Sequence, residues 1–199
     1  MDGFESLIYN FKQDLLTSES EYLVQKYLIF GSPYIFKSHE YLYFDLKKEL
    51  ASNFNVKPSE VFMIGSSKLG FSISPRKLWL EIDKGRDSDI DMVILSESLF
   101  DAFWKDLLDF RIEITSRNEC QDKNYRRFVD YFFKGWLRPD LFPFDYHNGN
   151  DWIDFFNELS YKKYDKRKVS CAVFRNDYFF TKYHTKNLDE IREGLINDS

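Results

Sequence analysis

The chain has 199 residues, 43% hydrophobic and 19% aromatic, with only eight glycines and five prolines. Such a composition buries a substantial core and excludes long disordered linkers. Its net charge of −5, from 28 basic and 33 acidic side chains, excludes a global pull toward nucleic acid or anionic membrane and leaves only a local basic groove.

The predicted elements follow in order. Phe4, Leu7, Ile8, Phe11 and Leu15 recur at helical spacing, so Asp2 to Leu16 reads as a helix opened by an Asp2/Glu5 capping box. A second helix opens at Ser18 and Glu21 and ends at Gly31 and Pro33. A third spans Ser38 to Phe54, with Leu42, Leu46, Leu50 and Phe54 on one stripe. Pro58 stops helical structure, and Val61-Phe62-Met63-Ile64 is the first core strand.

Phe71 to Ser74 alternates like a strand extension until Pro75, and Asp89 to Leu95 is the second core strand. A helix capped by Ser96 or Ser98 runs to Asp109, followed by an alternating stretch from Phe110 to Ile114. Further helices are expected from Asp122 to Trp136 and around Trp152 to Leu159. Lys168 to Arg175 alternates as a strand, and a last helix is opened by Asn187 with Glu190.

Other candidate sites are few. Cys120 and Cys171 have no metal-type spacing and read as small core residues, and His39, His147 and His184 are scattered, so no zinc site is expected. Asp2 and Glu5 stand where a signal peptide would be basic, and no apolar run approaches the ~20 residues of a membrane span. A cytoplasmic location without a membrane partner is the expectation. Lys162, Lys163, Lys166, Arg167 and Lys168, beside Tyr161 and Tyr164, form a local basic cluster: a contact for a polynucleotide or triphosphate, or a solvated loop.

The chemistry concentrates between Val61 and Leu95. Asp89 and Asp91, two apart on a strand, project to one face. Two carboxylates so placed repel unless a cation lies between them. Magnesium suits that position, because it takes one or two carboxylates plus phosphate oxygens. Gly65 lets the backbone approach a phosphate closely, Ser66 offers a hydroxyl and an N–H, and Lys68 is a candidate to balance triphosphate charge. Alone, a Gly-Ser after a strand is usually a turn, and an Asp-x-Asp at a strand start is usually a solvated edge. Together, each beside a hydrophobic strand, they favour a nucleotide and metal site.

Gly65-Ser66-x-x-x-Gly70 followed by Ser88-Asp89-Ile90-Asp91-Met92 resembles the DNA polymerase beta-type nucleotidyltransferase superfamily, over about Val61 to Leu95. The resemblance implies an α/β (α+β) fold, with a small mixed β-sheet carrying helices on one side and, in this chain, added N- and C-terminal helices. Residues 1–199 would form one such domain, with N-terminal helices in 1–57, a motif-bearing core in 58–115 and a helical region with a returning strand in 116–199. It implies magnesium-dependent transfer of a nucleoside monophosphate from a nucleoside triphosphate to a hydroxyl on RNA, protein or a small molecule. Gly65 and Ser66 would hold the triphosphate, and Asp89 and Asp91 would bind two Mg2+ ions. Small prokaryotic relatives of this type often act in toxin–antitoxin or antiphage systems, which would also imply a protein partner.

Two departures stand out. Phe71 to Arg86 is an insertion between the motifs. The third carboxylate that active members take from a neighbouring strand is missing from Lys168–Arg175. Glu113 and Asp177 are the first candidates for it, and Asp140 follows. The alternative expectation is a catalytically degenerate nucleotide-binding or regulatory protein with the same fold.

Overall fold

The computed structural model describes residues 3–84, 88–113, 117–143, 146–164 and 166–197. Helix α1 (Gly3–Thr17) leads into α2 (Ser20–Leu23), which continues as a π-helical turn, Val24–Ile29. Then come α3 (Glu40–Asn53), strand β1 (Val61–Ile64), the one-turn helix α4 (Gly65–Leu69) and strand β2 (Ile90–Leu95). Helices α5 (Glu97–Glu113) and α6 (Glu119–Phe133) precede the two-residue strand β3 (Trp136–Leu137). Helix α7 (His147–Lys163), strand β4 (Val169–Phe174) and helix α8 (Asp177–Asn197) complete the order.

The four strands form one mixed sheet in the order β1-β2-β4-β3. β1 runs antiparallel to β2, pairing Ile64 with Asp91, and β2 runs parallel to β4, pairing Asp91 with Ser170 and Val93 with Ala172. β3 lies antiparallel to β4, with Trp136 opposite Phe174. Strand residues alternate between faces. One face carries Met63, Met92, Ile94 and Cys171 into a core packed by residues of α3, α5, α6 and α7, and the other carries Val93 and Phe174 into a second core with α1, α2 and α8. The protein is therefore a small α/β protein with a four-stranded mixed sheet flanked by packed helices. The helices lie on both faces rather than one, because the N- and C-terminal helices supply the second layer.

Several boundaries differ from the sequence expectation. Phe110 to Glu113 continues α5 instead of forming an alternating strand, and Ile114 lies outside the described residues, as does Asp2 of the expected capping box. Helix α6 ends at Phe133, and Gly135 turns the chain in the left-handed region (φ 68°) so that Trp136 pairs in the sheet. Helix α8 starts ten residues before Asn187, where its Phe, Tyr, Thr and His residues are weak helix formers. Burial of Phe180, Thr181 and His184 overrides that propensity. Cys171 is buried, whereas Cys120 is exposed on α6.

The second layer is joined by polar contacts between distant segments. Ser20 Oγ donates to Asp189 at 2.5 Å. Arg192 donates from Nε to the Leu15 carbonyl at 2.7 Å and from Nη2 to the Ser18 carbonyl at 2.6 Å. No helix of the described residues is long and apolar enough to cross a membrane. Replacing Arg192 with Ala should cost about 2 kcal/mol, because two charge-assisted bonds to carbonyls are lost. A urea titration should show this as a lower midpoint with an unchanged slope.

Candidate functional site

The β1–α4 turn requires glycine at 65. Gly65 has φ 74°, and a Cβ placed there would stand 2.9 Å from Asp91 Oδ2. Both the left-handed backbone and the approach of the carboxylate exclude a side chain. Ser67, fully buried, donates its hydroxyl to the Asp89 carbonyl at 2.6 Å, so the Gly-Ser turn is tied to the aspartate strand by a direct bond. At its other end α4 stops at Gly70 (φ 90°), packed against the Tyr34 ring.

Lys68 faces elsewhere. It is buried, and its Nζ donates to the carbonyls of Phe30 (2.8 Å) and Gly31 at the end of the π-helical turn. Burial, with Lys47 adding to it, pushes its pKa down to about 8. Lys68 thus fastens α4 to the N-terminal helices instead of reaching toward a triphosphate. Lys77 and Lys84, from the insertion, are the lysines that line the cleft described next.

A cleft of about 880 Å³ lies on the Asp91 face of the sheet. Gly65, Ser66, Asp89 and Asp91 line one end of it. Its side walls are the insertion, from Ser72 to Lys84, and one face of α8. The insertion is a short hairpin: Phe71 bridges Glu81, and the Ser72 and Trp79 amides donate to the Leu80 and Ser72 carbonyls, each at 2.8 Å. Trp79 holds φ 64°, a strained backbone for a bulky residue. Its ring packs with Phe11 and Phe71 and lies under the Lys12 ammonium at 4.6 Å. The base of the hairpin is clamped by Arg167, which grips Asp83 through both carboxylate oxygens (2.6 and 2.7 Å) and the Ser88 carbonyl at 3.1 Å. Within the basic cluster Arg167 is therefore engaged structurally, Tyr164 is buried and Lys166 exposed; the side chains of residues 161–163 lie outside the described set.

Asp89 is exposed at the mouth of the cleft, and Asp91 is partly buried. Loss of water pushes the Asp91 pKa up; the Ser170 hydroxyl, donating to Oδ1 at 2.8 Å, opposes this, Asp89 adds to it and Lys168 opposes it. Ser170 is the β4 residue opposite Asp91, and Ala172 follows it on the same face. Neither is an acid, so the strand beside the aspartates supplies no third carboxylate.

Neither Asp177 nor Asp140 joins the pair. Asp177 begins α8, at the Phe174 end of β4, whereas Asp91 pairs with Ser170 near its start; four residues of strand separate those levels by about 13 Å. Asp140 is exposed and paired through both oxygens with Arg138 (2.6 and 3.1 Å). Glu113 ends α5, with its side chain outside the described set. Among the described residues no group of three or more His, Cys, Asp or Glu is arranged to hold a metal. Sequence reasoning missed Ser170, Ala172, Lys77 and Lys84. The first two are readable once Lys168–Arg175 is set parallel to Asp89–Leu95, but that pairing is a tertiary fact.

Toward the other end the cleft is aromatic. Trp136 stacks on Phe174 at 5.2 Å and meets Tyr183 at 4.4 Å. His184 lies among Phe174, Phe180 and Tyr183; its Nε2 and the Nε1 of Trp136 are buried without a hydrogen-bond partner. Burial lowers the His184 pKa to about 4, so the ring is neutral near pH 7.

Comparison with known proteins finds no matching family model, no matching curated protein and no matching solved structure. The functional reading rests on the site itself.

Two titrations follow from these environments. The unfolded chain binds a proton at His184 near pH 6.5 and the folded chain only near 4. Stability should therefore fall as pH drops from about 6.5 toward 4, by about 3 kcal/mol in all. The difference between wild type and His184→Gln, measured by urea unfolding between pH 7 and 5, should carry that slope. For Asp91 the folded pKa is raised, so stability is lost as pH rises through it. In chelator at pH 7, Asp91→Asn should melt no lower than wild type, and the gap should close toward acid pH.

Proposed function

We propose that the cleft binds a nucleoside triphosphate with magnesium, and that the protein transfers the nucleotidyl group to a hydroxyl acceptor in the manner of the DNA polymerase beta-type enzymes. The observation that carries this reading is the convergence of Gly65, Ser66, Asp89 and Asp91 at one end of a single cleft. Two independent short motifs, more than twenty residues apart, meet there through the Gly65–Asp91 approach and the Ser67–Asp89 bond.

The donor set suits magnesium. Two carboxylates on one face, one destabilised by burial beside the other, favour a hard divalent cation that completes its shell with water and phosphate oxygens. Asp89 and Asp91 would hold it, and when bound it would neutralise polyphosphate charge and polarise the phosphorus under attack. The backbone N–H and hydroxyl of Ser66 would seat phosphate oxygens, which Gly65 allows to come close. Lys77 and Lys84 line the same cleft and replace Lys68 as the cations for a triphosphate. In the transfer, the acceptor oxygen bonds to the α-phosphorus, the bond from that phosphorus to the bridging oxygen breaks and pyrophosphate leaves. The hydroxyl proton passes to a cleft carboxylate. Positioning and charge stabilisation carry most of the work in such a step.

A specific observation favours a second reading, nucleotide binding without turnover. Ser170 stands opposite Asp91 and donates to it, on the strand where a third carboxylate would complete a two-ion site.

The experiment is incubation with each labelled nucleoside triphosphate and magnesium, scoring pyrophosphate release and label transfer to RNA, protein and small hydroxyl compounds. Wild type should release pyrophosphate with at least one base, and Asp89→Ala and Asp91→Ala should each reduce the rate by about a hundredfold or more. Triphosphate binding without release for any base would instead support the second reading. In that case Ser170→Asp, which adds the missing carboxylate, should introduce measurable turnover.

A further inference from the structure

The reading above assigns one end of the cleft and leaves its aromatic end without a role. The sheet order places the parts in sequence. Gly65 and Ser66 follow β1, Asp91 is on β2, Ala172 and Phe174 are on β4 and Trp136 is on β3. Three strand gaps of about 4.8 Å separate the first from the last, about 14 Å in all. The cleft thus crosses the whole sheet, with the aspartate pair in its first half.

Between the halves the floor loses its side-chain bulk. The floor is Ala172, on the same face as Ser170 and Phe174. It lies on a strand paired on both sides and between two helical layers, yet it is partly exposed, through the cleft that it lines. Past this slot stands a fixed aromatic wall: Trp136 lies on Phe174 with planes 10° apart, backed by Tyr183. Asn187, on the cleft face of α8, offers an amide donor and acceptor beside it. A flat ring gains from edge-on contact with such a wall, and an amide reads its polar edge.

We propose that the slot over Ala172, bounded by Trp136, Phe174 and Tyr183, receives the base of the nucleotide whose triphosphate lies over Gly65 and Ser66. This rests on the nucleotide reading of the cleft and extends it: the ligand is a whole nucleoside triphosphate, recognised through its base as well as its phosphates. Ala172 is then the residue that admits the base, and the edges of Trp136 and Tyr183 close the slot around it.

The test is calorimetric titration of the full chain, in magnesium, with each of the four nucleoside triphosphates and with inorganic tripolyphosphate, for wild type, Ala172→Leu and Trp136→Phe. At least one nucleoside triphosphate should bind wild type about tenfold or more tightly than tripolyphosphate. Ala172→Leu should erase that advantage and leave tripolyphosphate affinity unchanged, which also shows that the variant is folded; Ala172→Val serves if the leucine variant does not fold. That nucleotide should quench tryptophan fluorescence where tripolyphosphate does not, and Trp136→Phe should remove the difference. Equal binding of nucleotide and tripolyphosphate by wild type, or an Ala172 variant that keeps the nucleotide's advantage, overturns the base slot while the phosphate and metal end stands. If wild type binds neither compound, the nucleotide reading itself falls and the slot falls with it.

Discussion

The site depends on a contact in which one partner has no side chain. Asp91 reaches across from β2 to β1, and its Oδ2 comes within 2.9 Å of where a Cβ on Gly65 would be. A left-handed turn at that point starts α4 immediately after the strand, and α4 in turn sends Ser67 back to the Asp89 carbonyl. The phosphate-type turn and the aspartate pair are thus one unit. Around it the chain adds fasteners: Lys68 to the π-helical turn, Gly70 against Tyr34, and Arg167 on Asp83 and Ser88. Each ties the unit to a different part of the fold, which limits how far the aspartates can move.

That arrangement has a cost in the free protein. A partly buried aspartate with another carboxylate beside it is held in an unfavourable charge state, relieved partly by Ser170 and Lys168. His184 and Trp136 leave buried nitrogens without partners, each costing about 1–3 kcal/mol. Such losses are tolerated where two cores, one on each face of the sheet, supply a large apolar surplus. Trp136, His184 and the left-handed Trp79 all line the same cleft.

Much of this was legible in the sequence because it is local. The strands Val61–Ile64 and Ile90–Leu95 and the meeting of Gly65-Ser66 with Asp89 and Asp91 follow from short patterns of apolar periodicity and turn chemistry. Lys68 points to the Phe30 and Gly31 carbonyls and not into the cleft; spacing along a chain does not say which side of a one-turn helix a side chain takes. The start of α8 was hidden because its first ten residues are rich in aromatic and β-branched side chains, whose helical state is supported by packing against Phe174. Ser170 carries no signal until β4 is set parallel to β2, a pairing across more than seventy residues. The alternation of Phe71 to Ser74 belongs to one side of a short hairpin, bridged at Phe71, and not to an extension of the central sheet.

The way α8 roofs the cleft bears on how the protein is made. Floor and turn are encoded between Val61 and Phe174, but the roof is a helix that follows every other described element and docks on α1 and α2 through contacts spanning about 170 residues. During synthesis the sheet can assemble while its aspartate face still lies open to water, since segments fold in the order they emerge. Docking of α8 is a long-range event, slow by its loop-closure entropy. A nascent chain would therefore carry its two aspartates long before it has an enclosed cleft.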